Sequence, residues 1–438
     1  MIENWRPFPI ETAVNDTNIP IKTENIAIFI IRDETLLLSA LVFNFLNMKR
    51  GRFKLYHLLK NTFLFILIFQ FSHSIFSQEI VQGAERIDFY YNKLKDKKIA
   101  IIANNTSVIK TSKGFTHIID TLISKGISIN KIFSPEHGFL GDKDDGEKFE
   151  SSFYKNIEII SLYGVNRKLK DDDIEDIDII VFDIQDVGVR FYTYLSTLHY
   201  AMESAAKKNI KFIIMDRGNP NSFYIDGPIL NLENSSFIGL HPVPIVYGMT
   251  IGEYGLMING EGWLTNNLKV DLEVIKLENY NHELKYEPPI KPSPNLPNIQ
   301  SIYLYPSLAF LEKTEISVGR GTSFQFQIYG HPDFTSEFSF IPEPNFGSKY
   351  PKLKGILSYG EDLRKYKTST RIELKWLINS FRQINDKNKF FRSDFDKLAG
   401  TSNLKKQIIE GVSESEIRDS WKEDLEKFKK IRKKYLLY

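Results

Sequence analysis

No cysteine occurs anywhere in the 438 residues, which rules out disulfides, thiolate zinc sites, a cysteine nucleophile and a lipid-bearing cysteine anchor. Excess charge of one sign is also missing. The 57 Lys and Arg against 55 Asp and Glu leave a formal charge of +2, which makes no case for nucleic acid or an anionic membrane surface as partner. No glycine-rich phosphate loop follows the first apolar run, which opens instead into Asn104-Asn105-Thr106-Ser107, so a nucleotide cofactor has no cradle there. A Gly-x-Ser-x-Gly elbow is absent, which weakens a serine-hydrolase reading, and no internal repeat is found. What is abundant is aromatic: 33 Phe and 21 Tyr suit a packed core first and sugar-stacking walls second.

Long hydrophobic runs are lacking too. From Met48 the chain reads Met-Lys-Arg-Gly-Arg-Phe-Lys, then an apolar stretch from Thr62 to Phe69, then Ser72, Ser74 and Ser77. A basic segment, a short apolar core and a small-residue zone are the anatomy of a secretory signal at 48–78, and the apolar part is short for a membrane span. Such a signal begins at the initiator Met, so residues 1–47 are expected to be an extension from a misplaced start codon. The alternative is a genuine amino-terminal segment with an internal anchor. The expected mature chain, from 79 onward, is exported to the periplasm or medium and keeps no stable membrane span.

Lys98 to Ala103, Ile129 to Phe133, Ile157 to Leu162, Ile177 to Asp183 and Ile210 to Asp216 are short apolar runs that read as buried parallel strands. Thr116 to Lys125 with Gly126 as its stop, Thr193 to Lys208, and Thr250 to Asn259 have helical periodicity. This alternation predicts an α/β fold, with a mostly parallel sheet covered by helices on both faces. After a further strand at Leu272 to Leu277, five prolines between Pro288 and Pro297 mark a stiff connector. The boundary is therefore placed between a sheet-bearing domain at 79–287 and a smaller α+β domain at 288–438. In the latter, Phe324 to Ile328 alternates like a half-buried strand, and Glu414 to Tyr438 reads as one charged amphipathic helix.

Chemistry gathers where the strands end. Glu136 follows the second strand between Pro135 and His137, and burial there would favour the protonated acid a general acid needs; holding the loop together is its other reading. Asp183 and Asp186 follow the fourth strand, suited to act as base, nucleophile or stabiliser of a cationic carbon, or else to rigidify the turn by pairing with Arg190. With no second His at ligand spacing, a metal is not expected. Arg190, Arg217 and Arg320 each lie within two residues of a glycine. Guanidinium forks suit a planar carboxylate such as the lactyl group of N-acetylmuramic acid, although each alone is as well explained by a structural ion pair. Asn104 and the run Asp216-Arg217-Gly218-Asn219-Pro220 open into the same crevice.

The ordered set Pro135-Glu136-His137-Gly138, Ser161-Leu162-Tyr163-Gly164, Asp183-Ile184-Gln185-Asp186-Val187-Gly188-Val189-Arg190-Phe191-Tyr192-Thr193-Tyr194, Asp216 to Pro220, Gly248 to Glu253, Pro292-Ser293-Pro294-Asn295 and Gly319-Arg320-Gly321-Thr322 resembles the exo-β-N-acetylmuramidase family of peptidoglycan glycosidases over roughly residues 95–435. The resemblance implies a Rossmann-like domain, a smaller carboxyl-terminal domain and a cleft between them. It also implies removal of N-acetylmuramic acid from the non-reducing ends of muropeptides or disaccharides, without a cofactor. By the same resemblance Glu136 is the catalytic acid, and Asp183 or Asp186, or the substrate's own 2-acetamido group, is the second catalytic element. Asn104, His137, Gln185, Arg190, Tyr192, Tyr194, Asp216, Arg217, Asn219, Asn295 and Arg320 are then expected around the substrate. Two positions depart from the family pattern: Gly218 stands where Pro is common, which should only loosen a turn, and Val318 where Glu often precedes Gly-Arg-Gly-Thr. A non-catalytic muropeptide-sugar binding protein and a metal-dependent hydrolase of wall esters or amides are the competing readings.

Overall fold

The computed structural model describes residues 79–141, 152–164 and 166–438. The expected signal at 48–78 and the extension at 1–47 lie outside the described residues, within which no helix is long and apolar enough to cross a membrane. The first half of the chain runs α1 (Ile87–Leu94), β1 (Ile99–Ala103), the hairpin β2 (Val108–Thr111) and β3 (Gly114–His117), α2 (Ile118–Ser124), β4 (Ile129–Ser134), β5 (Ser152–Tyr154), β6 (Ile157–Ser161), β7 (Ile179–Asp183), α3 (Tyr194–Lys208), β8 (Lys211–Met215), α4 (Ile251–Gly260) and β9 (Leu272–Ile275).

Seven of these strands form one sheet in the order β5-β6-β4-β1-β7-β8-β9, parallel except for the β5–β6 edge pair. Strand β1 is buried along its whole length because it has a neighbour on each side and helices above and below. Its residues alternate between two cores. Ala100 and Ile102 face α3 and α4 through Leu198, Met202, Tyr254 and Met257. Ile99, Ile101 and Ala103 face α1 and α2 through Tyr90, Leu94, Ile118 and Leu122. From β1 the chain winds outward through β4 and β6, then returns to lay β7 on the other side of β1. The loops after β1 and β7 therefore diverge at a switch point, where α/β sheets open a crevice.

Every strand expected in this half is present: β4 runs one residue further, to Ser134, and the others are trimmed by one or two residues. The expected helix at 116–125 begins at Ile118, because Thr116 and His117 pair with Ile109 and Val108 in the hairpin. The proline-rich stretch carries neither helix nor strand.

Beyond it lie α5 (Ile299–Glu312), a small antiparallel sheet of β10 (Ile328–His331), β11 (Phe338–Phe340) and β12 (Ser358–Asp362), and the helices α6 (Lys375–Gln383), α7 (Lys387–Phe390), α8 (Phe395–Ala399), α9 (Asn403–Ile409), α10 (Glu414–Asp419) and α11 (Lys422–Arg432). Two expectations are corrected here. Phe324 to Gln327 form a turn rather than a strand: Phe326 N–H bonds back to Val318 O at 2.8 Å and Phe326 has φ 54°. Glu414 to Tyr438 are two helices broken at Ser420–Trp421, and the last residues leave the helix so that Tyr438 Oη donates to Asp216 at 2.7 Å.

The carboxyl-terminal half is held to the sheet by a buried cation. Arg190, 1 % exposed, donates from Nη1 to Pro228 O (2.9 Å) and Val243 O (2.8 Å), and from Nη2 to Leu398 O (3.1 Å) and Ala399 O (2.7 Å). Burial pulls its pKa down to about 9. Gly400, at φ +80°, has to lack a Cβ, which would sit 2.3 Å from Arg190 Nη2. The expected substrate-facing role of Arg190 is thus replaced by a tie between the β7 loop and α8. Arg190→Met should orphan three buried carbonyls, since Val243 O keeps the Leu230 N–H, and cost on the order of 3 kcal/mol, read as a lower urea midpoint.

Candidate active site

Pro135 ends β4 by withholding a donor, and the next three residues turn sharply. His137 has φ 69° and Gly138 φ 76°, and Gly138 N–H bonds Pro135 O at 3.1 Å. A His in the left-handed region is strained, and such strain concentrates at functional sites. The turn aims Glu136, 5 % exposed, at Thr193, whose Oγ1 donates to Glu136 Oε2 at 2.6 Å. Thr193 is the last residue before α3, so the acid is fixed between the ends of two elements packed on one sheet.

Glu136 and His137 line a cavity of about 520 Å³. One wall is aromatic. Tyr192 and Tyr194 meet edge to face at 4.7 Å, and both phenols donate to Pro292 O, at 2.9 and 3.3 Å. Burial raises both phenol pKa values, so they remain donors. Tyr305 stands edge-on to Tyr192 at 6.2 Å and to Phe326 at 4.8 Å. The proline-rich connector is therefore stitched to the top of the sheet, and it carries Asn295 into the wall. Asn295 Nδ2 donates to Gly347 O at 2.7 Å, while its buried Oδ1 has no partner.

Another part of the wall is charged. Arg320 forks onto Glu312, with Nε–Oε1 at 2.5 Å and Nη2–Oε2 at 3.1 Å, and Lys313 pairs with Asp394 at 2.5 Å. Gly319 and Gly321, at φ 77° and 80°, turn the Arg320 loop, and Phe326, bonded back to Val318 O, also lines the cavity. Lys352 braces the loop from below, donating to Thr314 O (2.5 Å) and Ile316 O (2.9 Å); burial lowers its pKa to about 7. Nothing in the sequence singles out Glu312, Lys313, Asp394 or Tyr305, whereas Thr193 lies inside the Asp183 to Tyr194 motif with no role assigned to it. These are ordinary helix and loop residues that only the tertiary fold brings to the cavity.

Of the expected site residues, Glu136, His137, Tyr192, Tyr194, Asn295 and Arg320 line the cavity. The others form a layer beneath it. Asn104 Nδ2 donates to Tyr194 Oη at 3.0 Å, supporting the wall. Asp183 is gripped at both oxygens by Arg217, at 2.6 and 2.8 Å, with Asp183 wholly buried and Arg217 nearly so. This pair joins β7 to β8 and leaves neither side chain on the cavity wall. Asp216 accepts from Arg217 N–H, Gly252 N–H, Thr250 Oγ1 and Tyr438 Oη. Burial and the nearby Glu253 raise its pKa to about 7. Gln185 bridges Gly218 O, Asp186 O and Tyr286 Oη, and Asn219 bonds Met249 O and Asn221 N–H. Asp186 accepts from Gly188 N–H and Tyr247 Oη, with its second oxygen buried and unbonded. Gly218 does more than loosen a turn. Its N–H donates to Gln82 Oε1 at 3.0 Å, a bond no proline could make, and the Tyr286 ring lies 2.9 Å from where a Cβ would stand. Val318, 3 % exposed, is a core residue. Among the described residues no group of three or more His, Asp or Glu side chains is arranged to hold a metal ion.

Models of the exo-β-N-acetylmuramidase NamZ match this chain in both parts, the N-terminal one over residues 99–300 and the C-terminal one over 303–438. The chain belongs to the exo-β-N-acetylmuramidase family. It is 34 % identical over 373 residues to the peptidoglycan β-N-acetylmuramidase NamZ of Bacillus subtilis strain 168, covering 80 % of this chain and 89 % of that protein. Two crystal structures of DUF1343 family proteins from Bacteroides fragilis NCTC 9343 share the fold. One has a TM-score of 0.76 at 40 % identity and the other 0.69 at 26 %; each covers 82 % of this chain and 99 % of its own.

In this exo-β-N-acetylmuramidase family member, burial raises the Asp186 pKa from 3.8 to about 6. A raised carboxyl pKa gives stability that is whole below the unfolded value and is lost as the pH climbs through the folded one. Asp186→Asn should therefore gain on the wild type between pH 5 and pH 8, by roughly 1 kcal/mol. Asp216 and His241, which also titrate abnormally, are present in both proteins and cancel from the difference. Urea unfolding of both proteins at the two pH values measures it; a pH-independent difference would show that Asp186 titrates normally.

Proposed function

We propose that the chain hydrolyses the β-glycosidic bond of non-reducing-terminal N-acetylmuramic acid in peptidoglycan fragments, with Glu136 as the general acid. Family membership supports the reaction, and one observation carries the residue: Glu136 is a buried carboxyl group on the wall of a sugar-sized cavity, held by Thr193 at 2.6 Å beside an aromatic face. Glu136 protonates the departing glycosidic oxygen. The other carboxylates on the wall, Glu312 and Asp394, are committed to Arg320 and Lys313. That commitment favours the substrate's 2-acetamido oxygen as the group that stabilises the cationic carbon. The basic, apolar and small-residue sequence of 48–78 supports action outside the cytoplasm.

Two substrates separate acid catalysis from mere binding. 4-Nitrophenol leaves readily without a proton, whereas a sugar alcohol does not, so Glu136→Gln should lower disaccharide turnover by about 10³-fold and aryl N-acetylmuramide turnover far less. Both rates should be indifferent to EDTA. Equal losses on the two substrates would remove Glu136 from the acid role, and inactivation by EDTA would favour a metal-dependent hydrolase. A folded wild type that binds N-acetylmuramic acid without turnover would instead indicate a binding protein.

A further inference from the structure

N-acetylmuramic acid differs from N-acetylglucosamine by the lactyl ether on C3, which carries a carboxylate. A site that prefers the first must present a cation to that group. The arginines that the sequence motifs single out are unsuited to it. Arg190 and Arg217 do not line the cavity, and the fork of Arg320 is engaged by Glu312. Lys313 is likewise matched by Asp394. Two other cations line the cavity, Arg167 and Lys397, both exposed, and neither forms an ion pair with a described residue.

Arg167 is the better built of the two. Its guanidinium carbon lies 4.3 Å over the centre of the Phe237 ring. Stacking orients a guanidinium while leaving its in-plane N–H edge open to a planar carboxylate. The platform is itself fixed: Phe237 stacks on Tyr200 at 6.2 Å with an 8° interplanar angle, and its carbonyl accepts from Ser196 Oγ at 2.7 Å. Ser196 and Tyr200 belong to α3, and the residue just before that helix, Thr193, holds Glu136. A single helix thus sets the spacing between the acid at the scissile bond and the guanidinium. Lys397 offers only a point charge on a flexible stem.

We propose that Arg167, stacked on Phe237, binds the lactyl carboxylate and sets the preference for N-acetylmuramic acid over N-acetylglucosamine. This rests on the muramidase reading above and names the residue that recognises its substrate.

The test uses the full chain and two glycosides, 4-nitrophenyl β-N-acetylmuramide and its lactyl methyl ester. Arg167→Ala should lower kcat/KM for the acid by about 10²-fold and leave the ester close to the wild-type ester rate, with Arg167→Lys in between. Equal losses on acid and ester would make Arg167 a structural residue, and a selective loss in Lys397→Ala with none in Arg167→Ala would move the role to Lys397; either overturns the proposal. Should the wild type turn over neither glycoside, the muramidase reading fails, yet calorimetry still decides on Arg167. A preference for N-acetylmuramic acid over N-acetylglucosamine that Arg167→Ala abolishes supports the role, and one that it keeps overturns it.

Discussion

The site depends on a cation that never touches it. Arg190 sits two residues after Gly188 and three before Thr193, inside the loop that leaves β7. Its guanidinium draws that loop against Pro228, Val243, Leu398 and Ala399. Those carbonyls come from the segment before α4 and from the end of α8, so one side chain brings together three stretches distant in sequence. Buried carbonyls without donors are costly, and a planar fork with several N–H groups is the side chain able to satisfy four of them from one point. Once the loop is pinned, Tyr192 and Tyr194 can reach Pro292 O, and Thr193 can reach Glu136.

Beneath the cavity lies a polar layer that explains how the motifs mislead. Strand ends at a switch point bring many loop amides and acids into a region too crowded for water, so each polar group must find a protein partner. Asp183–Arg217, the fourfold-bonded Asp216 and the Gln185 bridge are those solutions. They carry the chemical vocabulary of catalysis because a buried scaffold and an active site need the same side chains. What distinguishes them is saturation: a carboxylate whose oxygens are taken by a buried guanidinium has nothing to offer a substrate. Sequence displays the residues and not their saturation.

The parallel sheet was legible because runs such as Ile-Ala-Ile-Ile-Ala at 99–103 bury both faces and leave no other placement. The Glu136 turn was legible for a related reason, since Pro135 and Gly138 bracket it. The carboxyl-terminal half was less so. Phe324 to Ile328 alternates as a strand does, yet Gly319 and Gly321 reverse the chain and Phe326, at positive φ, bonds back to Val318 O and lines the cavity. Periodicity measures local preference, and here a long-range closure overrides it. The charged wall was hidden for another reason: Glu312 and Lys313 lie at the end of α5, where their spacing looks like any helix terminus.

That wall also shows why pairing matters in a half-enclosed site. Bare charges there would be solvated by strongly held water, and displacing it would cost a neutral sugar much of its binding energy. Joining Glu312 to Arg320 and Lys313 to Asp394 cancels most of that field and turns four flexible side chains into a rigid surface. Against such a neutral background a single oriented guanidinium discriminates sharply, because the sugar that lacks a carboxylate gains nothing from it while the sugar that has one meets little competition. The aromatic wall works the same way. The phenols of Tyr192 and Tyr194 spend their protons on Pro292 O, so this part of the wall offers rings rather than free hydroxyls, the surface suited to the apolar face of a pyranose.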